Sequence, residues 1–319
     1  MNPSNYADIS LFGWVVNPPR TLEFLGLGIH FYGLIIAFGL LLAVWYGCKR
    51  CNQFGMTADD ITDGALCIVP FAILCARLYY CIFEWSSYKD NPISILYIWN
   101  GGLAIYGGVI GAVIGILVFA RVKKVKVGAV LDLVALGFLI GQSIGRWGNF
   151  FNREAFGAAT DCFMKMGLFH KFNQSWEYYH PTFLYESLWN AAGFAMLHFL
   201  SKKRQYDGQI ALGYAAWYGL GRTFVEGLRV DSLYWGNFRV SQLLAAVTCF
   251  FAAIILVALA FRKHDKANLF VNVVAAREAE AALAAKAEEV AEEPAEEESS
   301  QEEIPTEETP SEAPATEEE

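Results

Sequence analysis

The stretch VSQLLAAVTCFFAAIILVALAF, residues 240–261, runs through twenty-two positions without one charged side chain. Crossing about 30 Å of hydrocarbon at about 1.5 Å per residue takes roughly 20 such residues, so this segment reads as a membrane-spanning helix. Working outward from it, six more candidates appear at Leu25–Gly47, Ile61–Phe83, Leu103–Ala120, Ala129–Trp147, Phe183–Leu200 and Ile210–Gly227. Most lack the polar face that a surface helix of a soluble protein would need. The expected fold class is therefore an all-α polytopic membrane protein with seven transmembrane helices.

Orientation follows from the cations. Lys49 and Arg50 follow the first span, and Arg121, Lys123, Lys124 and Lys126 follow the third. Lys202, Lys203 and Arg204 follow the fifth, while Arg262, Lys263 and Lys266 follow the seventh. By the positive-inside rule these four clusters are cytoplasmic, which places the N-terminus outside and the C-terminus in the cytoplasm. Trp85, Trp99, Trp176 and Trp235 fall near the opposite ends, as an interfacial aromatic belt would. No cleavable signal peptide is expected, because residues 1–20 lack a basic n-region.

The net charge of -9 averages two unlike pieces. Residues 272–319 hold 17 Glu against Arg277 and Lys286, which leaves 16 acidic and 22 basic residues in 1–271. We expect 1–271 to be the transmembrane catalytic domain and 272–319 an acidic, low-complexity, largely disordered cytoplasmic tail, with a solvated helix in its first part. The body's basic residues lie in four separate loops, so no nucleic-acid partner is expected. Cys48 and Cys51 form a CxxC without a second ligand pair, which predicts reduced membrane-helix thiols and no metal.

Polar residues inside such segments are costly and mark function. Arg146 ends the fourth span in GQSIGRWGNFFNREAFG, with Asn149, Asn152, Arg153 and Glu154 beyond it. Arg222, Glu226 and Arg229 end the sixth in WYGLGRTFVEGLRVD, and Arg222 and Glu226 share a helix face. Two arginines and several amides at one depth suit an anionic headgroup, because the guanidinium fork binds phosphate bidentately. His30 and Tyr32 (HFYG), Tyr106 (NGGLAIYGG), and His180 and Glu186 (HPTFLYES) stand at the same level. The ladders Gly107/Gly111/Gly115 and Gly137/Gly141/Gly145 lead us to expect the third and fourth spans to pack together, joined as they are by a short basic loop. No HExxH or Ser-His-Asp set occurs, which fits an enzyme whose substrate brings the nucleophile.

GQSIGRWGNFFNREAFG resembles the signature of the prolipoprotein diacylglyceryl transferases, and HFYG, NGGLAIYGG, HPTFLYES and YGLGRTFVEGLR follow that family's order. The resemblance covers roughly residues 20–262. It implies a bacterial inner-membrane transferase of lipoprotein biosynthesis, with its active site toward the outer leaflet. Such an enzyme moves the diacylglyceryl group from phosphatidylglycerol to the lipobox cysteine thiol of prolipoproteins, forming a thioether and releasing glycerol phosphate. Its partners would be phosphatidylglycerol, lipobox-containing prolipoproteins and the bilayer, with no cofactor. Carried over by position, the catalytic set is Arg146, Arg222, Glu154, Asn149, Tyr32, Tyr106 and His30. The phosphatidylglycerol-binding set is Arg146, Asn149, Gly157, Arg222, Glu226 and His180. Glu154 would hold an arginine or accept the thiol proton. Many members carry His where this chain has Tyr106. The alternative reading is a lipid or anion transporter or flippase, which would show repeats and midplane charges that this chain lacks.

Overall fold

The computed structural model describes residues 3–24, 27–98, 101–230, 234–236 and 238–292. Trp99 and the tail beyond 292, with the disorder expected there, lie outside the described residues. The long helices are α1 (Phe31–Arg50), α2 (Ala58–Phe83), α3 (Ile105–Val122), α4 (Val127–Asn152), α5 (Thr182–Ser201), α6 (Gln209–Leu228) and α7 (Val240–Ala260). A further helix, α8, spans Phe270–Glu292. Helices α1, α2, α3, α4 and α7 are long and apolar enough to cross a membrane. Only 11% of the apolar window of α7 is buried inside the molecule, so its greasy surface needs a lipid solvent.

The polar residues of α5 and α6 explain why these two 20-residue helices fall below that hydropathy. Glu186, Ser187 and Asn190 are buried on α5, and Glu226 is buried on α6. Their polarity faces protein and not lipid.

The all-α expectation omits a four-stranded antiparallel sheet of order β2-β1-β5-β6. Its strands are β1 (Tyr6–Leu11), β2 (Trp14–Val16), β5 (Met166–His170) and β6 (Ser175–Tyr179). A hairpin of β3 (Thr21–Phe24) and β4 (Leu27–His30) precedes α1, and β7 (Tyr234–Trp235) pairs with β8 (Phe238–Arg239) before α7. Within the first apolar run Leu27–His30 is therefore strand, and its helix starts only at Phe31. Tyr6, Ile9, Phe156, Met166, Leu168, Tyr179, Phe183 and Leu184 form one buried cluster, which packs the sheet on the start of α5. Short strands such as β1 and β5, with residues 12–165 between them, leave no periodic signal as strong as a span.

The expected pairing of α3 with α4 is corrected. The α3 ladder packs on α2: a Cβ added at Gly107 would lie 2.9 Å from Ala76 Cα, and one at Gly111 would lie 3.0 Å from Ala72 Cα. The α4 ladder instead meets α1, through Ala43 opposite Gly137 and Ile36 opposite Gly145. A small-residue ladder accepts any helix with a matching surface, and a short loop ties only the helix ends.

At the end of the bundle that carries the basic loops, Asp132 of α4 is fully buried and accepts the backbone N–H groups of Gly208, Ile210 and Ala211, each at 2.9 Å. It caps the N-terminus of α6 from a neighbouring helix. Residues 1–273 form one compact unit and 274–319 a second.

Candidate active site

Helices α4, α5 and α6 bring one end each to a common place. Arg146 lies in the last two turns of α4, Glu186 in the first turn and a half of α5, and Arg222 and Glu226 in the last two turns of α6. Glu186 joins them: its Oε2 is 2.6 Å from Arg146 Nη2 and its Oε1 accepts from Arg222 Nη1 at 2.9 Å. Arg222 Nη2 meets Glu226 Oε2 at 2.5 Å, the one-face pair that the four-residue spacing predicts. Both carboxylates are buried, Glu186 at 5% and Glu226 at 2% exposure, so none of the three pairs is a screened surface contact.

From Arg146 the network continues outward. Arg146 Nη1 reaches Asn149 Oδ1 at 3.5 Å, and Asn149 Nδ2 donates to Glu154 Oε1 at 3.1 Å. Asn152 Nδ2 donates to the same oxygen at 3.1 Å. Glu154 is thus held by amides. Among the described residues no arginine pairs with it, which removes one of the two roles expected of it. Tyr32 of α1 lies with its ring on Gly148, where a Cβ would come within 2.6 Å, and within electrostatic reach of Glu154 and Arg146.

Two reciprocal clamps set the register of α5. Ser143 Oγ donates to the Ser187 carbonyl at 2.9 Å and Ser187 Oγ donates to the Ser143 carbonyl at 2.8 Å, locking α5 to α4 one residue from Glu186. Trp189 Nε1 donates to the Trp217 carbonyl and Trp217 Nε1 to the Trp189 carbonyl, both at 2.9 Å, with the rings stacked at 4.3 Å. That pair locks α5 to α6. The rings fit only because Gly221 lies under Trp189 and Gly193 under Trp217. The carboxylate and both guanidinium groups are therefore aligned before any substrate arrives.

The other expected residues stand apart from this network. Arg153, inside the signature, takes a left-handed backbone (φ 56°) at the end of α4. Its buried side chain turns away to bind the Ala7 carbonyl at 2.7 Å, Asn17 Oδ1 at 2.7 Å and the Pro18 carbonyl at 2.9 Å, which fastens the N-terminal strands. Gly157 makes room: its N–H donates to the His180 carbonyl at 2.9 Å, and a Cβ there would lie 2.7 Å from His180 Cβ. The His180 ring faces Tyr185 Oη at 3.2 Å and Cys162 Sγ at 3.8 Å, not the arginines. His30 is exposed at the junction of β4 and α1, and Tyr106 is 45% exposed in the first turn of α3.

Glu186 is what residue-by-residue reading undervalues. It stands in HPTFLYES, 40 residues from Arg146 and 36 from Arg222, and only the packing of α5 between α4 and α6 makes it their bridge. Its visible signal is a carboxylate within a membrane-span candidate.

Residues 19–258 match the family model described as prolipoprotein diacylglyceryl transferase. The chain is similar to the phosphatidylglycerol--prolipoprotein diacylglyceryl transferase of Enterococcus faecalis, at 44% identity over 73% of this chain and 86% of that protein. It is 43% identical to the protein of the same description from Listeria monocytogenes, over 71% of this chain and 84% of that one. The Clostridium novyi protein, also so described, is 43% identical over 75% of this chain and 95% of its own length.

Proposed function

This chain belongs to the prolipoprotein diacylglyceryl transferase family, and from that premise we propose that it transfers the diacylglyceryl group of phosphatidylglycerol to a prolipoprotein's lipobox cysteine. The observation that carries the reading is the Arg146–Glu186–Arg222 bridge, two guanidinium groups aligned by one buried carboxylate. The cysteine sulfur attacks the glycerol C3 carbon of the diacylglyceryl moiety. A C–S bond forms, the C3–O bond breaks, and the electron pair leaves on the phosphate of glycerol phosphate. Preorganised donors aimed at that growing charge supply the main acceleration, about 3–4 kcal/mol for each one.

Arg146 takes the phosphate, and Arg222 takes a second oxygen or draws the thiol toward thiolate. An ordinary thiol titrates near ~8.5, so help with deprotonation matters at neutral pH. Both oxygens of Glu186 are engaged by guanidinium groups, whereas among the described residues Glu154 is met on Oε1 alone. That leaves Glu154 Oε2 to accept the thiol proton. Asn149 orients the headgroup, Tyr32 walls the site from α1, and the Tyr106 hydroxyl meets the reacting groups from α3. We assign His180, Gly157 and His30 to the rim that admits lipid and peptide, and residues 1–271 to the catalytic body.

We also read α5 and α6 as spans, which makes seven, with the N-terminus outside, the site toward the outer leaflet, and the acidic tail in the cytoplasm. The basic loops at the other end of the bundle support that orientation. The test is incubation of the purified protein with phosphatidylglycerol and a lipobox peptide, followed by peptide mass. A diacylglyceryl adduct is expected. Lipid movement without an adduct would overturn the reading in favour of transport.

A further inference from the structure

Arg77, in the outer half of α2, is 4% exposed, and among the described residues no carboxylate pairs with it. Its charge is met by main-chain oxygens instead. Nε donates to the Ile95 carbonyl at 2.8 Å. Nη1 donates to Gly101 at 2.7 Å and Gly102 at 3.0 Å, and Nη2 to Ser94 at 2.8 Å and Tyr97 at 3.4 Å. The Tyr88 ring covers the guanidinium at 5.2 Å. Five N–H donors in one rigid plane is a property of arginine alone, and here they gather carbonyls from both ends of the segment that leads into α3.

The same turn of α2 also holds α3 itself. Ala104, the residue before the helix, donates its N–H to the Ala76 carbonyl at 3.1 Å. Gly107 passes so close that a Cβ would lie 2.9 Å from Ala76 Cα. Gly102 has φ +72° and no room for a side chain, since a Cβ would lie 2.4 Å from Arg77 Nη1. Tyr106 stands between these two anchors, one residue before Gly107 and two after Ala104.

We infer that Arg77 is a positioning residue for the transfer reaction: it fixes the Gly101–Gly102 turn and so aims Tyr106 at the reacting groups. A buried ion without a carboxylate beside it is expensive, and an apolar side chain could fill the space but could not collect five carbonyls. The inference rests on the transferase reading and on the place given there to Tyr106.

The test uses the purified full chain with phosphatidylglycerol and a lipobox peptide, together with amide hydrogen exchange. Lysine keeps the charge but has three donors and no plane. Arg77→Lys should therefore lower kcat at least tenfold, leave KM for phosphatidylglycerol within twofold, and speed exchange at Gly101 and Ala104. Because it acts through Tyr106, the double variant Arg77→Lys/Tyr106→Phe should be no slower than the slower single variant. If Arg77→Lys does not fold, Gly102→Ala leaves the guanidinium intact, strains the turn, and should give the same loss of kcat. An unchanged kcat per folded molecule, or losses that multiply in the double variant, would overturn the inference. A wild-type protein that forms no adduct would instead overturn the transferase reading, a result distinguishable because exchange reports the anchoring without reference to the reaction.

Discussion

Arg146 and Glu186 show how much a single side chain decides at the mouth of α4, α5 and α6. Arg146 presents one nitrogen to Glu186 and another to Asn149, a two-pronged use that a lysine ammonium cannot copy. Arg146→Ala should reduce transfer by about 10²–10³-fold, the usual cost of one preorganised donor, and Arg146→Lys should recover little of it. Near-wild-type turnover by either variant, assayed as peptide adduct, would remove Arg146 from the phosphate. Glu186→Gln tests the bridge from the other side. Removing the carboxylate leaves Arg146 without its anion and Arg222 with Glu226 alone, at a cost of about 3 kcal/mol or more. The variant should melt lower than wild type in detergent, and added phosphatidylglycerol should raise its Tm more than it raises that of wild type, because the phosphate supplies the missing charge. Equal lipid-induced shifts would argue that lipid does not bind between the two arginines.

At the level of elements, the small sheet carries its own titration. Tyr179 Oη donates to Glu177 Oε2 at 2.7 Å and Tyr6 Oη donates to the same oxygen at 3.2 Å, joining β6 to β1 across β5. The Tyr179 hydrogen bond, working against desolvation and helped by Tyr6, holds the Glu177 carboxyl below its ordinary 4.5. A group with a depressed folded pKa stabilises above its unfolded value and loses that contribution as pH falls through the folded one. Sheet stability should thus be flat from neutral pH to about 4.5 and fall below it, and Glu177→Gln should flatten that acid limb. Melting curves between pH 7 and pH 3 read this directly, and an unchanged acid limb in Glu177→Gln would dissociate Glu177 from it.

At the scale of the whole molecule, two experiments probe orientation and extent. Desolvation pushes the Cys162 thiol up, but hydrogen bonds to Thr160, Tyr185 and the Met164 backbone, with the nearby Lys165 charge, outweigh it and hold the thiol below its ordinary range. A membrane-impermeant maleimide should label a single-cysteine Cys162 chain in intact cells and a Cys48 chain only after permeabilisation. The reverse pattern would invert the proposed orientation. Truncation is the other experiment. Leu269 and Phe270 are buried, and the Phe270 N–H donates to Asp207 Oδ2 at 2.8 Å, so the dispensable part begins beyond them. A chain ending at Val273 should keep its transfer rate within about twofold, whereas one ending at Lys266 should lose stability; an inactive but inserted chain ending at Val273 would give the tail a role. Long apolar runs, basic loop clusters and the signature around Arg146 were legible in the sequence, because solvent partition and local spacing act on contiguous residues. The sheet was not, since its strands are short and lie far apart along the chain. Nor were the partners of the glycine ladders, the carbonyl cage of Arg77, or the bridge at Glu186. Each of these depends on which helices come together, and packing between distant segments is settled by the close approach of their surfaces, which no local pattern encodes.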